Sequence, residues 1–297
     1  MRIINASAAL ITLVLQLLVR TTFATLPADN ATPILWDPGA THEGTRVVTN
    51  TTAVATNLLF RITTANPALG AWRTALNVTA GEADLYLSRG VPPTTSKYDF
   101  KSARPGSDGF ILNSTQFAPN ELWYILVEAR AGATFNLVSG APFVQDLGSV
   151  AADDTSGSGE VVMGAEGMRF FSAQVPTDML AWRLWLNGKT NTILVKKSAV
   201  PVSQGNGFDL SQAAQMLVVP PYLTGGQQYF IGVIGDPGTK ISLDSRRQPI
   251  IDLAYDATTP SNDVTNFPYT TYRIQVPAQQ IAWRLSIPST NGNPNLA

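Results

Sequence analysis

At 297 residues with 44% hydrophobic content, the chain has room for two domains of ordinary size and enough apolar residues to fill their cores. Only 14% of residues are charged and the net charge is -1, which gives no reason to expect nucleic acid or an anionic membrane surface as a partner. The absence of Cys excludes disulfide scaffolds, thiolate metal sites and cysteine nucleophiles, and the single His42 excludes a multi-histidine metal centre.

The 23 Gly and 20 Pro, with abundant Thr, Ser and Asn, suit short strands joined by turns. The chain opens with Arg2, an apolar-rich run over 8–19, and small residues Thr22 and Ala24 before a candidate cut. That run is too short for the roughly 20 apolar residues of a membrane-crossing helix, so it predicts a signal peptide over 1–24. The expected localisation is secreted or cell surface. No later hydrophobic segment predicts a membrane span once the signal is cleaved.

A short phrase then recurs: Leu69-Gly70-Ala71-Trp72-Arg73, Met179-Leu180-Ala181-Trp182-Arg183 and Gln280-Ile281-Ala282-Trp283-Arg284. Each copy follows an aromatic, Phe60, Phe171 or Tyr272, and each module opens on a proline, Pro33, Pro142 or Pro249. The Trp residues are 110 and 101 positions apart and the prolines 109 and 107, a domain-length period. The spacing predicts two complete modules, 32–140 and 141–248, and an incomplete third repeat, 249–297. The polar stretches 36–46, 148–160 and 254–266 are expected to be linker and loop, with the first strand of each sandwich near or within them.

Within the first module, residues 57–64 alternate, with Leu58, Phe60 and Ile62 on one face. Around the first Trp, the residues Trp72, Thr74 and Leu76 oppose Arg73, Ala75 and Asn77. In the second copy Trp182, Leu184 and Leu186 oppose Arg183 and Trp185. The expectation is a core-facing Trp in each repeat, with the neighbouring Arg along the outer face and its head in water. Further β-forming runs at 81–90, 107–112, 123–128 and 134–138 are paralleled by 191–195, 229–233 and 239–243. The predicted fold class is all-β: tandem antiparallel β-sandwich domains, jelly-roll or Ig-like, with seven or eight strands each.

The run Gly81-Glu82-Ala83-Asp84-Leu85-Tyr86-Leu87-Ser88-Arg89-Gly90, followed by Pro92, Tyr98-Asp99 and Trp123-Tyr124-Ile125-Leu126-Val127, resembles the bacterial pre-peptidase C-terminal (PPC) domain family over most of 53–140. The second module diverges: Thr192-Ile193-Leu194 stands where the family has Asp-Leu-Tyr, and no Tyr-Asp follows, although Gly226-Gln227-Gln228-Tyr229-Phe230-Ile231 is kept. The third repeat ends at Asn295-Leu296-Ala297, where Asp84-Leu85-Tyr86 would align. The resemblance implies a β-sandwich in a secreted or surface protein, commonly accompanying a hydrolase without carrying its catalytic residues. Some relatives bind collagen or carbohydrate, and some hold calcium through linker acids.

No nucleophile elbow, zincin helix, P-loop or Rossmann glycine pattern occurs, and Lys196-Lys197 and Arg246-Arg247 are isolated basic pairs. No catalytic, cofactor-binding or metal-ligating residue is assigned. Calcium, the one cofactor the resemblance raises, would fall to Asp153, Asp154 and Glu160, with Asp84 a structural carboxylate. Calcium needs about six or more oxygen ligands, so these acids read first as solvated turn residues. The expected function is a non-catalytic, exported structural or adhesive protein of PPC-like modules, joined to other domains of a longer chain. Two alternatives stand beside it. One is a glycan- or protein-binding module using exposed aromatics such as Trp36, Tyr98 or Trp185; the other is the accessory region of an extracellular peptidase or hydrolase. The third repeat, with about three strands expected, is too small to enclose a core and is expected to be a truncated copy.

Overall fold

A computed structural model describes residues 27–66, 69–151, 157–186, 191–203, 207–256 and 269–286. The expected signal peptide over 1–24, Asp153, Asp154 and residues 287–297 lie outside the described residues. A single 3-10 turn, Ala28–Asn30, precedes the strands. Among the described residues no helix is long and apolar enough to cross a membrane.

The first module contains β1 (Thr32–Pro33), β2 (Val48–Thr51), β3 (Thr56–Thr63), β4 (Ala71–Ala80), β5 (Ala83–Arg89), β6 (Phe100–Ser102), β7 (Asp108–Asn113), β8 (Leu122–Ala129) and β9 (Thr134–Gly140). One sheet runs β1-β3-β8-β5-β6 and the other β2-β9-β4-β7. The second module contains β10 (Val144–Ser149), β11 (Gly157–Val162), β12 (Met168–Gln174), β13 (Trp182–Leu186), β14 (Thr192–Lys197), β15 (Leu210–Ala213), β16 (Gln215–Val218), β17 (Gln228–Ile234) and β18 (Lys240–Arg247). Its sheets run β10-β12-β17-β14-β15 and β11-β18-β13-β16. Strand for strand, this is the same order. Among the described strands of both modules only the opening one pairs in parallel, β1 with β3 and β10 with β12, and every other strand pairing is antiparallel; an isolated parallel bridge joins Asp37 to Gly140. The architecture is all-β, as the turn-rich composition and period-two alternation require. Each module has one or two more strands than expected, because the opening pair and the short edge strands β6 and β15 carry weak alternation.

Alternation places one face of each sheet in a core. Phe60, Ile62, Trp72, Leu76, Leu85, Leu87, Trp123, Ile125, Phe135 and Leu137 fill the first sandwich. Phe171, Trp182, Leu184, Leu186, Ile193, Val195, Tyr229 and Ile231 fill the second. Each such fully buried side chain contributes roughly 1.5–3 kcal/mol of hydrophobic free energy. Strand β8 is apolar on both faces, since Leu59, Tyr86, Tyr124 and Leu126 form a second cluster on the outer face, with Ala31 and Ala28 beside it.

The polar stretch after Pro33 is more ordered than a linker. Asp37 is buried, and its carboxylate accepts from the backbone N–H of Gly39 (2.8 Å), Thr45 (2.6 Å) and Arg46 (2.7 Å) and from Thr45 Oγ1 (2.9 Å). Burial pushes this carboxyl up, but the converging N–H groups outweigh it and hold it below the usual range.

The third repeat begins as the other two do. β19 (Ile250–Leu253) pairs in parallel with β20 (Thr271–Ile274), with Ile251 opposite Tyr272. Among the described residues this repeat shows a two-stranded sheet, and one expectation fails: Trp283 is 51% exposed, whereas Trp72 and Trp182 are fully buried. A core-facing Trp needs the facing sheet, and the described residues of this repeat supply none.

Candidate functional site

The modules meet on the outer face of β4. Ala71 is completely buried against Met168, Phe170, Leu194, Val200, Val202 and Phe230 of the second module, with Leu69 and Ile111 beside it. The backbone continues the contact: Val200 N–H donates to the Leu69 carbonyl at 3.2 Å. This corrects the expected position of the first arginine. Arg73 does not reach water, because the second module covers the face to which alternation assigns it.

Arg73 Nε lies 3.0 Å from Glu166 Oε1, and the two side chains are only 3% and 2% exposed. Neither Arg73 Nε nor Glu166 Oε2 makes a well-aligned hydrogen bond, so the contact is chiefly Coulombic. Arg73 NH1 donates to the His42 carbonyl at 2.6 Å, which brings the Asp37 loop into the same cluster. From β6's far end, Arg104 NH2 donates to the Ala165 carbonyl at 2.6 Å. Glu166 sits in the tight turn between β11 and β12, closed by Gly167 N–H donating to the Gly164 carbonyl. Gly109 lets that turn approach, since a Cβ there would lie 2.7 Å from Glu166 Cα. His42, half-buried beside Arg169 and Arg73, is pushed down to about 3: burial disfavours its cation, and the two guanidinium groups add repulsion.

A second arrangement occurs in both modules. In the first, the Arg89 guanidinium lies over the Trp123 ring, 5.0 Å from its centroid, and Trp123 packs edge-on against Trp72 at 5.1 Å. In the second, Lys197 Nζ lies 5.8 Å from the Tyr229 ring centroid, and Tyr229 packs against Trp182 at 5.4 Å. Register makes these pairs equivalent: Arg89 is opposite Trp123 across β5–β8, as Lys197 is opposite Tyr229 across β14–β17. An aspartate fixes each cation-bearing residue through its backbone. Asp99 Oδ2 accepts from Arg89 N–H at 2.8 Å, and Asp209 Oδ2 from Lys197 N–H at 2.9 Å. Phe208-Asp209 therefore occupies the place of Tyr98-Asp99, a correspondence hidden in the sequence by the change of aromatic and by a longer loop.

Above Trp123 lies an open, shallow cleft lined by Arg89, Asp99, Phe100, Gln116 and Trp123. Arg89 NH1 is 3.2 Å from Glu121 Oε1, and Trp123 Nε1 donates to Glu121 Oε2 at 3.1 Å. Trp123 itself is 1% exposed, so the cation rather than the ring faces the cleft.

The other aromatics and acids singled out in the sequence fall elsewhere. Trp36 is half-buried, 6.0 Å from Trp72 and 6.5 Å from Phe117 between ring centroids, and so caps the core. Tyr98 is partly exposed and rests on Tyr86 at 5.4 Å, while Trp185 is half-buried on β13. Asp84 is raised by burial and by neighbouring Asp108, Glu128 and Glu82. Glu160 forms an exposed ion pair with Lys240 at 2.6 Å. Among the described residues no group of three or more His, Asp or Glu is placed to hold a metal ion.

No family model matches the chain, and no curated protein matches it. Among solved structures it is similar to the glycoside hydrolase domain of Endo-D from Streptococcus pneumoniae R6, with 10% identity and a TM-score of 0.21 over 69% of this chain. The chain spans 33% of that chain's length, and a likeness of this size assigns neither fold nor activity.

Proposed function

We propose that this protein is a non-catalytic, exported array of PPC-like β-sandwich modules, a structural or adhesive part of a larger secreted or surface protein. The observation that carries the reading is the buried joint. Two modules of the same strand order are locked by an apolar cluster around Ala71 and by the Arg73–Glu166 pair, which suits a stiff spacer. A buried ion pair adds little net stability against an apolar substitute, and its use lies in fixing one geometry. Small-angle scattering tests the reading: wild type gives one rigid two-module profile, and Glu166→Ala broadens it. A hydrolase screen showing turnover abolished by a single substitution overturns it.

A glycan-binding role is the second reading, favoured by the open cleft over Arg89 and Gln116. Titration with extracellular glycans, in wild type and Arg89→Ala, separates it from a spacer alone.

A further inference from the structure

The joint between the modules buries more positive charge than negative. Arg73 and Glu166 are matched, but a second guanidinium, that of Arg169 on β12, belongs to a residue only 8% exposed. Strand pairing explains its position: Val144 pairs with Phe170, so Arg169 stands beside Phe143, with its guanidinium carbon 5.4 Å from that ring's centroid. Among the described residues Arg169 has no hydrogen bond and no carboxylate at ion-pair distance, and its Nε is buried without a partner. The charges around it are Glu43 and Glu166, which attract it, and Arg73, which repels it. Glu43 stands exposed on the loop beside the half-buried His42, and Glu166 already faces Arg73. A buried guanidinium is ordinarily paired, because it brings five N–H donors and a full charge out of water. Two buried cations against one buried anion leave one charge unmatched.

The geometry points to a small carboxylate ligand as the missing counter-charge, seated at the joint on the Arg169 guanidinium. The planar fork of N–H donors matches the two oxygens of a carboxylate, and Phe143 packed against the guanidinium restricts its position. Charge sets the class of ligand. A single negative charge balances the cluster, whereas a dianion such as sulfate would overshoot it beside Glu166 and Glu43. The site draws on both modules, since His42 and Glu43 belong to the first and Arg169 to the second. A ligand held there is bound by the closed joint and lost when the modules part, so its occupancy stiffens the pair. The assignment rests on the charges of the joint and holds whether or not the array serves as a spacer.

The test follows thermal unfolding of the full chain at neutral pH as sodium acetate replaces sodium chloride at fixed ionic strength. The midpoint is expected to rise along the curve that linkage to one saturable site requires. Arg169→Gln abolishes the rise, while Arg61→Gln, at an exposed position outside the joint, leaves it intact. If Arg169→Gln does not fold, Arg169→Lys gives the comparison: it keeps the charge, loses the fork and weakens acetate roughly tenfold. Glu43→Gln removes like charge from the rim, so the rise comes at roughly threefold lower acetate. Absence of the rise in wild type overturns the proposal, as does an equal rise in Arg169→Gln or an undiminished one in Arg169→Lys. A rise seen only in Glu43→Gln also overturns it, because the chain's own loop then supplies the counter-charge. Sulfate that stabilises wild type over Arg169→Gln more than acetate does overturns the choice of a singly charged ligand.

Discussion

The indole N–H of Trp72 donates to Ser139 Oγ at 2.8 Å inside the first sandwich, and the same bond joins Trp182 to Ser245 at 2.9 Å in the second. All four residues are buried. The pair ties the recurring Trp to the last strand of its own module, β9 or β18, and satisfies a donor that could not otherwise be buried without cost. Ser139→Ala and Ser245→Ala are each expected to cost about 1–3 kcal/mol, because the indole N–H is left unpaired. Ser139→Ala is the worse of the two, since Thr74 Oγ1 also bonds Ser139 Oγ at 2.8 Å. Urea unfolding of each variant measures the difference.

Removing the acid from the joint leaves a buried guanidinium without its counter-charge. Glu166→Ala is expected to destabilise the chain by about 3–5 kcal/mol and to split one thermal transition into two as the modules uncouple. The double variant Arg73→Met with Glu166→Leu recovers most of that loss, because neither charge of the pair remains buried. Calorimetry distinguishes the two outcomes.

His42 makes the protein sensitive to mild acid. Its unfolded pKa is about 6.5, whereas in the folded chain it is held near 3. Between those values the unfolded state binds a proton that the folded state refuses, so stability falls as pH drops below about 6.5. Wild type is therefore expected to lose more stability than His42→Gln between pH 7 and pH 5. The two urea midpoints at each pH give the comparison, with the carboxylate contribution common to both.

The cation-over-aromatic pairs predict a measurable coupling. A double-mutant cycle of Arg89→Ala and Trp123→Phe is expected to return about 0.5–1 kcal/mol, the range for exposed cation–π contacts. The Arg89 side chain is 49% exposed, so most of that coupling persists in added salt only if ring contact rather than the Glu121 ion pair supplies it. Repeating the cycle at high salt separates the two.

Much of the sandwich was legible in the chain. The alternation at Phe60 and Ile62, or at Trp182, Leu184 and Leu186, assigns a face to each residue from neighbours two positions away, and those faces form the cores. The site was harder to read. Asp99 and Asp209 perform the same backbone contact 10 and 12 residues from their cations, in loops of different length, so no fixed spacing marks them. The aromatic beneath each cation changes from Trp123 to Tyr229, which conceals the equivalence further.

By itself the sequence determined an all-β chain, its domain-length repeat and the inward Trp of the two complete modules, because period-two burial is a local property of a strand. Only the tertiary structure decided what covers the opposite face. Arg73 is buried because Glu166, far along the chain and in the next module, supplies its charge partner, while Trp283 carries the same Ala-Trp-Arg phrase and stays half exposed. Alternation specifies where a side chain points; burial depends on which surface arrives to meet it.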